Sequence, residues 1–458
     1  MTQRRTFLIG LGLTHFIKPR GERSAEDMGL EAATKALTDA GINYDEIQHA
    51  FVGYCYGDSC TGQRALYGLG MTGIPITNVN DNCSTGSVAL YHANQYVKAG
   101  IVECAMALGF EQMASGSLGT NWADRVPPLA VFSSVNAELE ADDQKGPPAP
   151  RYFSNAAQEY FDKFGGNKET LAKIASKNHN HATKNPYSQF RKGWTVKEVL
   201  DAPDVTKQCT KLMCCPTSDG AGCCIIASEA FVRKHKLENQ AIEVASSVLT
   251  TDRPSAFESR SAIELVGFTM TRNAADAAFA QAGLSPTGDR DKVGVVELHD
   301  CFAANELVTY DALRLCQPGK AHEFVDRGDN TYGGKFVVNP SGGLEAKGHP
   351  LGATGLGMHY YIAMQLRQWA GPMQAPGLLD GSGNGRGKFG LVHNIGLGGA
   401  AVVSLLRRPE FWKDGGDDGR SRIGYNHACE ARRITMADVD KVKSRKHPSP
   451  TTLTYAKL

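Results

Sequence analysis

The sequence contains no run approaching the ~20 apolar residues that a membrane-spanning helix needs, so membrane insertion is not expected. Charge of one sign is also scarce: 49 Lys and Arg stand against 48 Asp and Glu, a formal net charge of +1. No global field favours nucleic acid or an anionic membrane, and any polyanion site must be local. The 12 cysteines include no Cys-x-x-Cys pair. The adjacent pairs Cys214-Cys215 and Cys223-Cys224 are poorly placed to bridge each other or to chelate a metal, so reduced thiols and no metal centre are expected. The Arg4-Arg5 start resembles an export signal, but the apolar stretch after it is short and is cut by His15, Lys18 and Arg20. It reads instead as a first core strand, Thr6–Leu13, with no room ahead of it for a transit peptide.

What is present is length and glycine. A chain of 458 residues exceeds one ordinary compact domain, and its 50 glycines predict many tight turns. The helical pattern Ala25–Ala40 stops at Gly41 and leads into the strand Ala50-Phe51-Val52-Gly53-Tyr54. The same grammar returns where Ala274–Ala282 stops at Gly283 and leads into Gly294–Leu298. Cys83-Ser84-Thr85-Gly86-Ser87 opens a helix to about Ala99, and His349-Pro350-Leu351-Gly352 opens another to about Trp369. Buried strands follow them, at Glu103–Gly109 and Phe389–Val392. The repetition predicts an internally duplicated α/β protein. The first half spans 1–119 plus 218–240, the second 241–408. Between them, 120–217 carries the breakers Val126-Pro127-Pro128 and Gly146-Pro147-Pro148 and reads as a loop domain over a site. The polar stretch 409–458 reads as a partly ordered tail.

Four segments carry chemistry. Cys83 sits at a helix start, where unpaired N–H groups and the helix dipole favour a thiolate and can receive an oxyanion. A small residue opening a helix is the plain alternative. His349 holds the matching place in the second half and can take the Cys83 proton, although a lone histidine more often bonds a nearby carbonyl. His299-Asp300-Cys301-Phe302 ends a strand, where open α/β sheets place ligands, and Asp300 is also suited to cap the helix that follows. His393-Asn394-Ile395-Gly396 ends another strand in a Gly-rich turn whose main-chain N–H groups can face an anion.

With these segments in view, residues 1–408 resemble the thiolase superfamily. Asn82-Cys83-Ser84-Thr85-Gly86-Ser87 is similar to its nucleophile loop, and Gly342-Gly343 with Gly348-His349-Pro350-Leu351-Gly352-Ala353-Thr354-Gly355 to its catalytic-histidine loop. Most thiolases carry Asn-Glu-Ala-Phe where this chain has His299-Asp300-Cys301-Phe302, and a Cys-x-Gly turn where it has His393-Asn394-Ile395-Gly396. Both departures are similar to the sterol carrier protein type-2 (sterol carrier protein X) thiolases, as are Glu111 and Asn185–Phe190. The lipid-carrier domain of that group is not expected in the residues after 408. The resemblance implies βαβαβαββ halves in five αβαβα layers. It implies 3-oxoacyl-CoA cleavage by coenzyme A, a cosubstrate rather than a cofactor. Cys83 is then the nucleophile and His349 its base, while Cys301 replaces the missing second cysteine. One oxyanion hole would use the Cys83 N–H with an N–H near Ile395-Gly396. A second would use the His349 and His299 side chains. Asp300 would orient a neighbour, and His393 would support the Cys83 loop. Arg191, Lys192, Lys207 and Lys211 are candidates for the CoA phosphates, although charged loops are usually solvated faces. Biosynthetic acetoacetyl-CoA formation and a non-catalytic acyl-CoA- or lipid-binding scaffold are the alternatives. A homodimer, with a tetramer as the further possibility, is implied. The end Ala456-Lys457-Leu458 is similar to a Ser-Lys-Leu address, so a peroxisomal location is expected, with a mitochondrial one as the alternative.

Overall fold

Eight consecutive buried residues, Thr6–Leu13, form the first strand, β1. A strand apolar on both faces belongs in a sheet covered on both sides. The computed structural model describes residues 4–19, 21, 23–114, 122–140, 145–379, 387–413 and 418–450. Its other strands are β2 (His49–Gly53), β3 (Ile76–Val79), β4 (Cys104–Glu111), β5 (Gly220–Ser228), β6 (Ile242–Thr250), β7 (Val293–Glu297), β8 (Val337–Val338), β9 (Phe389–Gly396) and β10 (Ala400–Arg407). They run β3-β2-β4-β5-β1-β6-β10-β9-β7-β8. Read outward from the middle, β1-β5-β4-β2-β3 and β6-β10-β9-β7-β8 are the same arrangement twice. β2 is parallel to β3 and β4, as β7 is to β8 and β9. β5 is antiparallel to β4 and β1, as β10 is to β9 and β6. The halves meet through the pairs Phe7↔Glu243 and Leu8↔Ile242.

The helices that shape the site are α1 (Ala25–Ala40), α2 (Thr85–Lys98), α3 (Ala130–Leu139), α4 (Pro148–Phe164), α5 (Lys168–Ala182), α6 (Phe268–Gln281), α7 (Ala303–Ala312), α8 (Gly343–Lys347), α9 (Leu351–Arg367) and α10 (Met436–Val442). α2 and α9 pack on each other in the middle, and α9 touches β4 and β5 of one half and β7 and β9 of the other. α1 covers β1 and β5 from outside, and α6 covers β6 and β10. The result is five layers, helix and sheet alternating. The central helices approach the strand ends so closely that a Cβ on Gly352 would strike the carbonyl oxygens of Phe110 and Gly53. From the inserted segment, α4 packs on α7, and α5 packs on both α7 and α8. This segment therefore roofs the strand ends that carry the second half's loops.

Residues 418–450 are more ordered than their polarity suggests. Val439 and Val442 of α10 are buried, and this helix packs on α1. Asn426 Nδ2 donates to the Trp369 carbonyl at 2.9 Å, and Ser444 Oγ to Asp45 Oδ1 at 2.5 Å. A few small apolar side chains do the packing, so no periodicity announces the segment. Ala456-Lys457-Leu458 lies outside the described residues. Among the described residues no helix is long and apolar enough to cross a membrane.

Candidate active site

Cys83 stands on a turn at the head of α2. Asn82 there adopts φ 53°, a left-handed conformation that asparagine tolerates. Thr85 Oγ1 staples the turn, donating to the Asn82 carbonyl at 2.6 Å and accepting the Asp81 N–H at 2.8 Å. Asn82 Nδ2 donates to the Leu397 carbonyl at 3.0 Å and ties the turn to the Gly-rich segment after β9. The Cys83 thiol donates to Asn82 Oδ1 at 3.7 Å, and the N–H groups of Cys83 itself and of Leu397 favour its charged form. These donors do not make Cys83 a thiolate, as its helix-start position had suggested. Burial outweighs them, the Glu111 carboxylate adds to it, and the thiol is pushed up to about 12. The main-chain donor from this turn that favours a charged Cys83 is the N–H of Leu397, the residue after Gly396. Ile395 lines the cavity, and Gly396 lies so close to the Asp81 carbonyl that no side chain fits.

His349 is held with one nitrogen free. Its N–H donates to Ser218 Oγ at 3.0 Å. Its Nδ1 lies 2.7 Å from Thr354 Oγ1, whose own proton goes to the Pro350 carbonyl at 2.9 Å. Nδ1 must therefore carry the ring proton, leaving the Nε2 lone pair exposed to the site. Nε2 is buried and has no hydrogen-bond partner among the described residues. Burial, with Lys347 nearby, brings the imidazole down to about 3, so it is neutral and able to accept a proton.

His299 is held in the opposite tautomer. Asn394 Nδ2 lies 3.2 Å from the Cys83 carbonyl, which can only accept, so the amide nitrogen faces that way. The same NH2 donates to His299 Nδ1 at 2.8 Å, while Ser87 Oγ donates to Asn394 Oδ1 at 2.9 Å. His299 must then carry its proton on Nε2. Burial, reinforced by His349, holds this ring well below the usual imidazole range and hence neutral. The two rings meet edge to face, centroids 5.0 Å apart.

Cys83 Sγ and one nitrogen each of His299 and His349 lie within 4.8 Å of one another. Such a donor set can ligate a metal, but the His299 Nδ1 lone pair is already taken by Asn394 Nδ2 and its Nε2 carries the proton.

Two assignments need correction. His393 does not touch the Cys83 loop. It accepts the His299 N–H at Nδ1 (3.5 Å) and meets Thr271 Oγ1 at Nε2 (3.0 Å); Asn394 holds the loop instead. Asp300 does not cap α7. Its carboxylate accepts the Leu344 N–H at 2.7 Å and Asn178 Nδ2 at 3.0 Å, so it caps α8 ahead of His349.

Cys301 shares with Cys83, His299, His349 and Ile395 the wall of one cavity of about 320 Å³, otherwise lined mainly by apolar side chains such as Met113, Phe153 and Leu351. Burial, then the neighbouring Cys215, holds the Cys301 thiol well above the ordinary range, so it is protonated. At Pro216 and Thr217 this cavity adjoins a wider groove of about 990 Å³, lined by Lys18, Arg191, Lys192 and Lys211. Lys207 is exposed and does not line it. Sequence reasoning missed Asn394, Thr354 and Leu397 as individuals. The first two stand inside the motifs quoted above, but no spacing marks the Leu397 N–H.

A duplicated five-layer α/β fold, with a cysteine and two histidines at the loop ends of its halves, defines a class. Residues 9–230 match the family model for the thiolase N-terminal domain, and residues 255–401 that for the thiolase C-terminal domain-like family. The chain belongs to the thiolase family. It is 50% identical over 419 residues to sterol carrier protein 2 of Gallus gallus, covering 90% of this chain and 74% of that one. It is 31% identical over 410 residues to an acetyl-CoA acetyltransferase of Methanothermobacter thermautotrophicus, covering 88% and 99%. Among solved structures, the Ltp2-ChsH2(DUF35) aldolase superposes with a TM-score of 0.71 at 19% identity, covering 88% of this chain and 98% of that one, a likeness of fold alone.

Proposed function

We propose that this protein is a 3-oxoacyl-CoA thiolase working in the degradative direction through an acyl-Cys83 intermediate. The observation that carries this reading is the partnerless, neutral His349 Nε2 beside the protonated Cys83 thiol, in a cavity that Cys301 also lines. His349 Nε2 takes the Cys83 proton as sulfur attacks the 3-oxo carbon. The new oxyanion lies against the Cys83 and Leu397 N–H groups. When this oxyanion collapses, the bond between carbons 2 and 3 breaks, and its electron pair passes to carbon 2 and the thioester oxygen. His299 Nε2–H, and the proton now on His349, stabilise that enolate. Cys301 gives its proton to carbon 2, releasing acetyl-CoA or propionyl-CoA. The incoming CoA thiol returns a proton to Cys301 and attacks acyl-Cys83, and the departing Cys83 sulfur recovers its own proton from His349. The sequence closes with every group in its starting state.

The CoA phosphates would lie along the adjoining groove beside Arg191, Lys192 and Lys211, with Lys18 added and Lys207 left out. A homodimer and a peroxisomal location through Ala456-Lys457-Leu458 belong to the same reading. Removing the last three residues from a tagged copy should release it to the cytosol. The functional test is thiolytic cleavage of acetoacetyl-CoA and of a longer 3-oxoacyl-CoA by wild type, Cys83→Ala and Cys301→Ala. Loss in the first variant, strong reduction in the second and preference for the longer substrate are expected. An inactive wild type would overturn the reading.

A further inference from the structure

Glu111 ends β4 and is 1% exposed, yet it lines neither cavity and enters no step above. Its carboxylate is gripped from two sides. Oε1 accepts the N–H of Tyr56 at 2.8 Å, Oε2 accepts the N–H of Gly352 at 3.0 Å, and the N–H of Cys55 is shared between them at 3.2 and 3.1 Å. Cys55 belongs to the loop after β2, and its Sγ faces the nucleophile turn, with Asn80 Oδ1 at 3.3 Å and the Asn82 carbonyl and Thr85 Oγ1 each at 3.4 Å. That carbonyl is half of the peptide whose N–H belongs to Cys83. Gly352 lies in the first turn of α9, three residues beyond His349. One side chain therefore spans the supports of the nucleophile and of its proton acceptor, which come from opposite halves of the chain.

A carboxylate does this best. Both of its oxygens are full acceptors, whereas a carboxylic acid adds an O–H donor and is a weaker acceptor at that oxygen, and an amide replaces one oxygen by an NH2 donor. The donor would then confront a backbone N–H on one side of the grip. We infer that Glu111 is a positioning residue: as a carboxylate it holds the Cys83 turn and the head of the His349 helix in register, and when protonated it releases one of them. The inference rests on the acyl-transfer reading of the site. The titratable groups facing Glu111 are Cys55, on the loop after β2, and Cys83, at the head of α2; its charge helps to keep both thiols protonated. From α9 it meets the Gly352 amide. Burial, opposed by the three N–H groups, brings its ionisation up to about 7, within the range where enzymes work.

Two measurements test this. The first is kcat and KM for acetoacetyl-CoA thiolysis between pH 5.5 and 9, in wild type and Glu111→Gln. Wild-type kcat should fall below a midpoint near pH 7, the about 7 to which Glu111 is raised. The Gln variant should lack this limb and run ~10- to 100-fold below wild type at pH 8, the cost of ~1 Å of misplacement, with KM little changed. The second is amide hydrogen exchange, which needs neither activity nor a variant. After correction for intrinsic rates, peptides holding Cys55, Tyr56 and Gly352 should be better protected at pH 8 than at pH 6. Equal protection at the two pH values, or a Gln variant that keeps the wild-type limb, would overturn the inference. A wild type without thiolase activity but with pH-dependent protection would overturn the acyl-transfer reading and leave the grip standing.

Discussion

Thr354→Val changes one polar atom at the site. Valine has the shape of threonine, so the first turn of α9 should keep its packing. The Pro350 carbonyl loses the threonine hydroxyl but still accepts the N–H groups of Ala353 and Thr354, each at 2.9 Å. The group left without a partner is His349 Nδ1–H, which now donates to Thr354 Oγ1 at 2.7 Å. An unpaired buried donor costs ~1–3 kcal/mol, and the ring escapes that cost by moving its proton to Nε2. In that tautomer it presents a donor, not a base, to Cys83. The population able to take the thiol proton therefore falls by ~5- to 150-fold, and kcat/KM should fall with it. Thr354→Ser keeps the hydroxyl and should stay within about twofold of wild type, since the bond that sets the tautomer survives. The assay is thiolysis of acetoacetyl-CoA at pH 8, paired with 15N shifts of the His349 ring to report the tautomer. Because burial brings His349 down to about 3, no acid limb from this histidine should confuse the comparison above pH 5. A Val variant with wild-type kcat/KM, or Ser and Val variants equally impaired, would refute the assignment of Nε2 as the proton acceptor.

Cys301→Ala should lower kcat for carbon–carbon cleavage by ~10²- to 10⁴-fold, the range for losing a general acid, while transfer of a preloaded acyl group from Cys83 to CoA is much less affected. Stopped-flow measurement of the two half-reactions separates these outcomes. Asp39→Asn should cost ~3–5 kcal/mol in urea unfolding, because Arg367 is fully buried and pairs with Asp39 at 2.8 Å. Joining it to Arg367→Met should recover much of the loss. Ionising Glu111 in the folded protein is opposed by burial, its value rising from 4.5 to about 7. Its neutral form therefore contributes stability that is fully present below pH 4.5 and lost as pH rises through about 7. The unfolding free energy of wild type relative to Glu111→Gln should fall by ~3 kcal/mol between pH 4 and pH 9, at ~1.4 kcal/mol per pH unit across that gap. Chemical denaturation at each pH measures it.

Elements whose pattern is local were legible in the sequence. β1 and α1 begin and end where the buried run and the Gly41 stop place them. The motif residues Cys83, His299, Cys301 and His349 meet at one cavity, because each stands at the end of a strand or the head of a helix and the duplicated halves face each other there. What depends on the meeting itself was hidden. Asp300 precedes α7 in the chain, but β7 ends with its carboxylate turned toward α8, more than forty residues later. β8 has only two residues and β3 is a half-exposed edge of four, too short or too mixed to show a period. The ring tautomers follow from Asn394 and Thr354, and neither spacing nor residue type announces a hydrogen bond's direction. Depth also reversed the expected charge of Cys83, since helix-start donors are visible in a sequence and burial is not.

That reversal bears on how the site is kept safe. With Cys83 pushed up to about 12 and His349 brought down to about 3, moving the proton between them is uphill by ~12 kcal/mol before the new charges attract. At a separation of ~4 Å and an effective dielectric of ~20, that attraction returns ~4 kcal/mol. A resting thiolate–imidazolium pair is therefore disfavoured, unlike the ion pairs of cysteine nucleophiles at more polar sites. On the acyl-transfer reading, proton transfer then has to accompany formation of the sulfur–carbon bond. On that reading the negative charge would pass to the substrate oxygen, against the Cys83 and Leu397 N–H groups, instead of resting on sulfur. A neutral, buried thiol should react slowly with small oxidants and alkylating agents, and on the acyl-transfer reading the 3-oxo carbon of the substrate supplies the electrophile against which its proton can leave.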